Sequence, residues 1–417
     1  MRILHLIDPD PCEAGACVLG LAADAVARLD HHRHDVLIIG DTSRMMLAAR
    51  CGLRPLGGIP AALGRTALAR RGLARFIRAD ETANGPYDLI HAWTMPAAVV
   101  AATARPWHTI IAGPLTSPPG PSVSRRAIMR INRCAVRVLV ATPALQRDWA
   151  ALGVDQLLLT ALAPGVDRQR LAPEDRAMLR SRWGADETTF VVGLVGEPQP
   201  RVDAQTAVMA AVRLIYTGRA VKLIVHHGAA MRLEATRWVD QLGIGDLLVV
   251  EDDLAQPWTV APGLDAALVV ARSSRTTPLR HSPCGLLAPL WMMAAGVPII
   301  ADTMQPIADL LEDERSGLLV QRGDVNGIAR GMLRLHDDAS LTQRLGGAGQ
   351  HLVTSRFDAT TFAESLDDIY RQTFRGQRVR MDSRGDSQPR GWVSSAAQAK
   401  AAGCGGGHVR RIEPSPR

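Results

Sequence analysis

The chain has 417 residues, 47% apolar, 21% charged and 4% aromatic, with 37 glycines and 26 prolines. That length and apolar content exclude disorder throughout and suit two or three domains with sizeable cores. The net charge is +7, but residues 376–417 carry +5 of it and the preceding 375 residues only +2. Of the basic residues 46 are Arg and 2 are Lys, a skew that reads as coding bias. A nucleic-acid binder carries its charge on the folded domain and stacks bases on aromatics, of which there are 16 here, so no nucleic-acid partner is expected.

Cys12, Cys17, Cys51, Cys134, Cys284 and Cys404 form no C-x-x-C pair. Neither a zinc nor a disulfide framework follows, and a reducing cytoplasm is the natural setting. The first ten residues hold too short an apolar run for a signal peptide. The longest uncharged stretch, 282–301, is divided by Gly285, Pro289, Gly296 and Pro298. It reads as loop, helix, turn and strand rather than as a membrane span.

In chain order, short β-branched or aliphatic runs alternate with helical patterns. Residues 2–7, 35–39, 88–91, 109–112, 136–141 and 156–161 make a first set of strands, and 190–195, 222–225, 246–250, 266–270, 297–301 and 317–320 a second. Continuous apolar strands of this kind predict buried parallel sheets with helical crossovers, hence two doubly wound α/β domains in tandem. The boundary falls in 163–186, which holds Pro164, Gly165 and Pro173. Helical spacing of Phe362, Leu366, Ile369 and Tyr370 predicts a closing helix, and beyond Arg375 the Gly, Ser, Arg and Gln content predicts a disordered basic tail. The division is 1–165, 166–356, 357–375 and 376–417.

No G-x-G-x-x-G follows the first strand, and there is no Walker loop, H-E-x-x-H or G-x-S-x-G. Asp8-Pro9-Asp10 matches a metal-binding D-x-D but sits where such residues turn the chain after a strand. Arg71, Arg75 and Arg78, and then Arg126, Arg130, Arg133 and Arg137, recur at helical spacing. Such basic helices either dock on an anionic membrane surface or are ordinary solvated faces.

Several segments, in order, resemble the retaining GT-B glycosyltransferases of the family 4 and glycogen-synthase-like type. The opening strand, the loop with Gly15 and the apolar helix 19–29 begin the likeness. Tyr87-Asp88-Leu89-Ile90-His91-Ala92, the strand and turn at 138–145, Pro164-Gly165-Val166-Asp167 and the strand and glycine turn at 190–196 continue it. Ser282-Pro283-Cys284-Gly285-Leu286-Leu287 with Met293-Ala294-Ala295-Gly296-Val297-Pro298 is similar to the family's donor-binding loop, helix and strand. Asp309 through Val320 is similar to its "E-L-I-E-D-G-x-x-G-L-L-V" segment, and Phe357 and Tyr370 bracket its terminal cross-over helix.

The resemblance implies a GT-B fold, two Rossmann-like domains facing across a cleft, with an acceptor domain first and a nucleotide-sugar donor domain second. It implies transfer of a hexose from a nucleotide diphosphate sugar to a glycan or lipid-linked acceptor, with retention, in the cytoplasm or peripherally at the inner membrane face. No cofactor and no metal are called for, because protein cations and helix dipoles stabilise the leaving diphosphate. The donor-site candidates are Gly196, Arg201, Arg275, Arg280, Ser282, Cys284, Gly285, Leu286 and Asp309. Gly15, His91 and Gly113 are the candidates on the acceptor side, His91 being either an acceptor contact or a histidine bonded to backbone. Cys284 is expected to pack under the phosphate and Trp291 to lie in the core.

The chain departs from the family at its most informative side chains, and no catalytic residue is assigned. The two donor-site glutamates fall near Ser282 or Pro283 and near Leu290 or Trp291, and no Glu occurs between Glu251 and Glu312. The family's Arg after the glycine turn corresponds to Glu197, its Lys to Arg201, and its N-domain His to Ala112. Two readings follow: an enzyme that rebuilt its phosphate site from neighbouring cations such as Arg272, Arg275, Arg280 and His281, or a catalytically inactive binding or scaffold protein. A sugar-nucleotide 2-epimerase on the same architecture is a third, without motifs of its own here.

Overall fold

The computed structural model describes the chain except residues 9–12, 61–65, 105–107, 116–124, 173–174, 197–199, 226–228, 252–255, 271–283, 304–305 and 383–417. Side chains are likewise not described at 13–15, 66–67, 115, 200–202, 229–231, 284–285, 306 and 376–382. Of the predicted disordered tail, residues 376–382 instead continue a helix, and 383–417 lie outside the described residues.

The first sheet is built from β1 (Arg2–Ile7), β2 (Arg33–Ile39), β3 (Gly57–Ile59), β4 (Leu89–Ala92), β5 (Ile110–Leu115), β6 (Ala135–Val140) and β7 (Leu159–Ala161). Its strands lie in the order β3-β2-β1-β4-β5-β6-β7, and every pairing is parallel. The crossovers are α1 (Glu13–Arg28), α2 (Thr42–Arg50), α3 (Thr66–Asn84), α4 (Met95–Ala104), α5 (Arg125–Cys134) and α6 (Pro143–Ala151). Thr142 starts α6 by accepting the N–H of Leu145, with Pro143 in the first turn where its missing N–H costs nothing. All six residues of β1 are buried, as expected of a parallel strand covered on both faces. Buried Arg2 and His5 are the exceptions in type. The Arg2 guanidinium pairs with Asp35 of β2 at 2.8 Å and with Asp80 of α3, fastening the sheet to that helix.

A second set of elements follows α7 (Arg176–Arg182): β8 (Phe190–Leu194), α8 (Pro200–Tyr216), β9 (Val221–Val225), α9 (Ala229–Leu242), β10 (Leu248–Val250), α10 (Pro257–Val260), β11 (Ala266–Val269), α11 (Cys284–Ala294), β12 (Ile299–Asp302) and β13 (Leu318–Val320). The strand order is β10-β9-β8-β11-β12-β13, again all parallel. Then come α12 (Val325–Asp337), α13 (Ala339–Arg356) and α14 (Ala359–Asp382). Asp324 and Asp338 cap α12 and α13 by accepting the N–H groups of Gly327 and Leu341.

Both predicted strand sets form, with ends that shift by one to three residues. The exception is β3, whose two glycines in three residues give a strand no side-chain signal. The closing helix begins at Ala359 and runs to Asp382.

Elements of the first half pack against the second along α1. Gly20 faces the Trp258 ring so closely that an added Cβ would lie 2.7 Å from it. Asp24, whose side chain is 2% exposed, pairs with Arg170 at 2.6 Å, and Arg28 pairs with Asp167 at 2.9 Å. The Arg170 guanidinium in turn lies over the Trp258 ring. One continuous apolar cluster includes Leu19, Trp258, Leu286 and Phe362.

The cross-over helix α14 returns the chain to the first sheet, and its start is set by Gly165. A Cβ there would sit 2.6 Å from the Ala359 backbone and 2.8 Å from Phe362. Gly165→Ala is therefore expected to destabilise the chain by about 1–3 kcal/mol, because backbone rather than a flexible side-chain end must move. Urea denaturation measures this, and an unchanged midpoint would mean the helix start has slack.

Candidate functional site

In an open parallel sheet the place where strand order reverses leaves a crevice at the carboxyl ends of two neighbouring strands. Here the reversals fall between β1 and β4 and between β8 and β11. Several of the sequence-predicted donor candidates lie on connections that follow the strands at the second of these. Gly196 follows β8, buried and with φ 101°, a conformation other residues adopt only with strain. Arg201 lies in the first turn of α8 on the same connection.

Arg275, Arg280 and Ser282 lie on the connection after β11, within 271–283 and outside the described residues. Cys284 and Gly285 open α11 immediately after them. The segment after β12, the next strand over, carries Asp309 at the end of a 3-10 turn, exposed. Topology thus places the described candidates, Gly196, Arg201, Cys284, Gly285, Leu286 and Asp309, on the connections that follow three adjacent strands.

The helices α8 and α11 follow the two switch-point strands, so each begins at this crevice. The first turn of a helix has N–H groups without intrahelical partners and a partial positive charge, a ready site for an anion. Leu286 is fully buried in the core, so what it can offer a ligand is its backbone N–H. Trp291 is buried and packs 4.8 Å from the Trp258 ring, as expected of a core residue. Pro289 inside α11 has no N–H for the carbonyl of Gly285, one turn back at the mouth of the crevice.

A separate groove of about 520 Å³, lined by Arg168, Leu171, Leu264, Gly296, Thr342 and Gln350 among others, adjoins Asp265 and Pro298, just before β11 and β12. That is the opposite end of the sheet from the ligand loops.

At the other switch point, Gly15 lies in the first turn of α1, directly after β1 and its loop. Asp8 pairs with Arg44 at 2.9 Å. His91 and Gly113 are neighbours. Gly113 has φ 113° and its carbonyl accepts the Nε2–H of His91, while the Tyr370 hydroxyl donates to His91 Nδ1 at 2.5 Å. His91 is fully buried with both ring nitrogens engaged inside the fold, which agrees with the backbone-bonded of its two readings.

Sequence reasoning missed the network around it. Trp93 Nε1 donates to His5 Nδ1 at 3.0 Å, which leaves His5 Nε2 as the protonated nitrogen. His5 Nε2 donates to His34 Nδ1 at 2.8 Å, and His34 Nε2 donates to the Leu29 carbonyl at 2.7 Å. Each tautomer is fixed by the next partner. The available signal was histidine at positions 5, 34 and 91 inside or beside otherwise apolar strands.

Burial holds His5 well below the ordinary histidine range, helped by the His91 and His34 rings, and pushes His91 down to about 3. His34 is also lowered by burial, opposed by its bond to Leu29.

Comparison with known proteins adds the following. Residues 189–338 match the family model described as glycosyl transferases group 1. A D-inositol 3-phosphate glycosyltransferase of Geodermatophilus obscurus is 32% identical over 186 residues, covering 41% of this chain and 39% of the relative. A GDP-mannose-dependent alpha-(1-6)-phosphatidylinositol monomannoside mannosyltransferase of Mycobacterium tuberculosis is 28% identical, covering 51% of this chain and 56% of the relative. The chain thus spans about half the length of the curated relatives it matches.

Among solved structures, Anabaena Alr3699/HepE in complex with UDP and glucose superposes with TM-score 0.70 at 19% identity, over 89% of this chain and 100% of that one. Sucrose-phosphate synthase from Thermosynechococcus elongatus gives TM-score 0.67 at 18% identity, over 90% of this chain and 100% of that one.

The buried histidines generate a prediction of sign and window. Their folded-state pKa values lie below the unfolded value of 6.5, so the unfolded chain takes up protons first as pH falls. Stability contributed above pH 6.5 is lost from there down towards about 3, by up to about 1.4 kcal/mol per pH unit for each histidine kept neutral. Tyr370→Phe leaves His91 Nδ1 buried without a donor and is expected to cost about 1–3 kcal/mol at pH 7.5. Denaturant titrations across pH 7.5 to 4.5 read both effects; a flat wild-type profile would contradict the first, and an unchanged midpoint for Tyr370→Phe at pH 7.5 the second.

Topology and superposition agree that the chain has the GT-B fold, and its residues 189–338 match the group 1 glycosyl transferase family model.

Proposed function

We propose that the chain transfers a hexose from a nucleotide diphosphate sugar to a glycan or lipid-linked acceptor, with retention of anomeric configuration. The observation that carries this reading is the convergence, in the group 1 domain, of Gly196 and the first turns of α8 and α11 at one switch point. The diphosphate would lie against the backbone N–H groups of Gly285 and Leu286 and the open turn at Gly196. Arg201, Arg275 and Arg280 would supply cations, and Ser282 a hydroxyl donor.

Cys284 is small enough to pack beneath the phosphates, and Asp309 is a carboxylate able to accept from donor hydroxyls. As the bond from the sugar's anomeric carbon to the diphosphate breaks, charge grows on the leaving oxygen, where helix termini and arginines are worth most. The acceptor oxygen forms the new bond from the same face, and its proton passes to the departing diphosphate. Gly15 and Gly113 are proposed for the acceptor side. The activity of the Mycobacterium tuberculosis relative, on a phosphatidylinositol monomannoside, supports a lipid-linked acceptor.

A second reading has its own observation. The chain has no Glu between Glu251 and Glu312 and places Glu197 in the turn beside the expected diphosphate. That favours a binding or scaffold protein without turnover.

Nucleotide release from UDP-, GDP- and ADP-sugars, with and without glycan and lipid-linked acceptors, separates the two. Transfer predicts release from one nucleotide series, stimulated by an acceptor, and a loss of about 100-fold in kcat/KM on Arg201→Ala. No release from any donor, with a protein partner retained through purification, would favour the scaffold.

We further propose that α3 and α5 dock on an anionic membrane face. Both pack against α4, and Arg71, Arg75, Arg78, Arg126, Arg130 and Arg133 are all exposed. Among the described residues no helix is long and apolar enough to cross a membrane. Each arginine near an anionic surface contributes about 1 kcal/mol, so sedimentation with phosphatidylserine vesicles should be strong at low salt and weak at 0.5 M. Replacing Arg126, Arg130 and Arg133 with glutamine should weaken it, and no binding at low salt would rule the docking out.

A further inference from the structure

His31 and His32 lie in the turn between α1 and β2, and Asp367 lies on α14, which brings together side chains 335 residues apart. His32 Nε2 is 2.7 Å from Asp367 Oδ1, and His31 Nε2 is 3.3 Å from Asp367 Oδ2. The ring centroids are 4.0 Å apart and tilted by 51°. One ligand atom from each of the three residues lies within 4.8 Å of the other two. Bonds of about 2.0–2.2 Å in tetrahedral geometry put neighbouring ligand atoms roughly 3.3–3.6 Å apart, so small side-chain movements would seat one ion among them.

We propose that His31, His32 and Asp367 form a three-ligand site for a divalent transition-metal ion of the zinc class, which ties α14 to the first sheet. Two imidazoles and one carboxylate suit zinc rather than magnesium or calcium, which prefer all-oxygen ligands. The His31 side chain is 43% exposed while those of His32 and Asp367 are 6% and 11% exposed. The ion would enter from solvent on the His31 side and keep a water in its fourth position. On binding, the Nε2 proton now shared with Asp367 leaves that atom and the ring carries its proton on Nδ1.

Two groups compete with the ion. Arg371 Nη2 is 2.7 Å from Asp367 Oδ2 and 3.3 Å from His31 Nε2, and the Met1 nitrogen is 3.4 Å from His32 Nδ1. Arg371 supplies the positive charge that a metal would supply instead. The site lies before β2, at the amino end of the sheet and away from the ligand loops at the carboxyl ends. Its role is to fasten the cross-over helix, not to act on substrate.

Titration of the full chain with zinc chloride against a chromophoric chelator tests the site. One equivalent should bind, and the melting temperature should rise with it. His31→Gln, His32→Ala and Asp367→Asn should each weaken binding by about 10-fold or more. Arg371→Gln should tighten it, an outcome that a simple ion-pair cluster would not give. His31→Gln changes an exposed ring and keeps the test valid where Asp367→Asn unfolds the chain; exposed His351→Ala should change nothing. Absence of binding at millimolar zinc, or binding equal in wild type and all three ligand variants, would overturn the proposal.

Discussion

Strands that pair only in parallel must be returned to their starting edge by a helix each time, and this constraint shapes the whole molecule. Every strand then begins at one end of its sheet and finishes at the other, so all the carboxyl-end loops of a sheet lie together. Reversing the strand order once, between β8 and β11, opens a crevice among those loops and aims the starts of α8 and α11 at it. The anion-binding capacity proposed for it belongs to the backbone N–H groups of the helix starts. That is why the candidate donor site retains its frame although several of the family's charged side chains are replaced.

The second half is fastened to the first by side chains of unlike kinds. Along α1 the closest fit is steric, Gly20 against Trp258, beside a nearly buried ion pair of Asp24 and Arg170. Along α14 it is polar, with Tyr370 bonded to His91 and Asp367 bonded to His32. Breaking a buried pair by removing one member costs more than forming it gained, since the survivor stays desolvated. Such contacts therefore specify one arrangement of the helices more than they add to net stability.

The sheets were legible in the sequence because parallel strands buried on both faces read as apolar runs, as 2–7 and 190–195 do. A strand of Gly-Gly-Ile carries no such run, so β3 was not. The order of the donor candidates along the chain was legible as a likeness, and topology sets the described ones on neighbouring connections. The histidine network was illegible for a physical reason. His5, His34 and His91 sit in strands whose pairing order, not sequence spacing, makes them neighbours, and Tyr370 and Asp367 arrive from the other end of the chain. Ligand spacing read along the sequence likewise missed His31, His32 and Asp367, because the carboxylate comes from a helix 335 residues away.

The central claim is that the crevice between β8 and β11 holds a nucleotide diphosphate, and thermal denaturation with UDP, GDP and ADP tests it directly. A ligand at 100 times its dissociation constant adds about 2.7 kcal/mol of stability, enough to move the midpoint by several degrees. The account predicts a shift with one nucleotide diphosphate, larger than with its monophosphate, and its loss on Arg201→Ala. No shift with any of the three at millimolar concentration would contradict it.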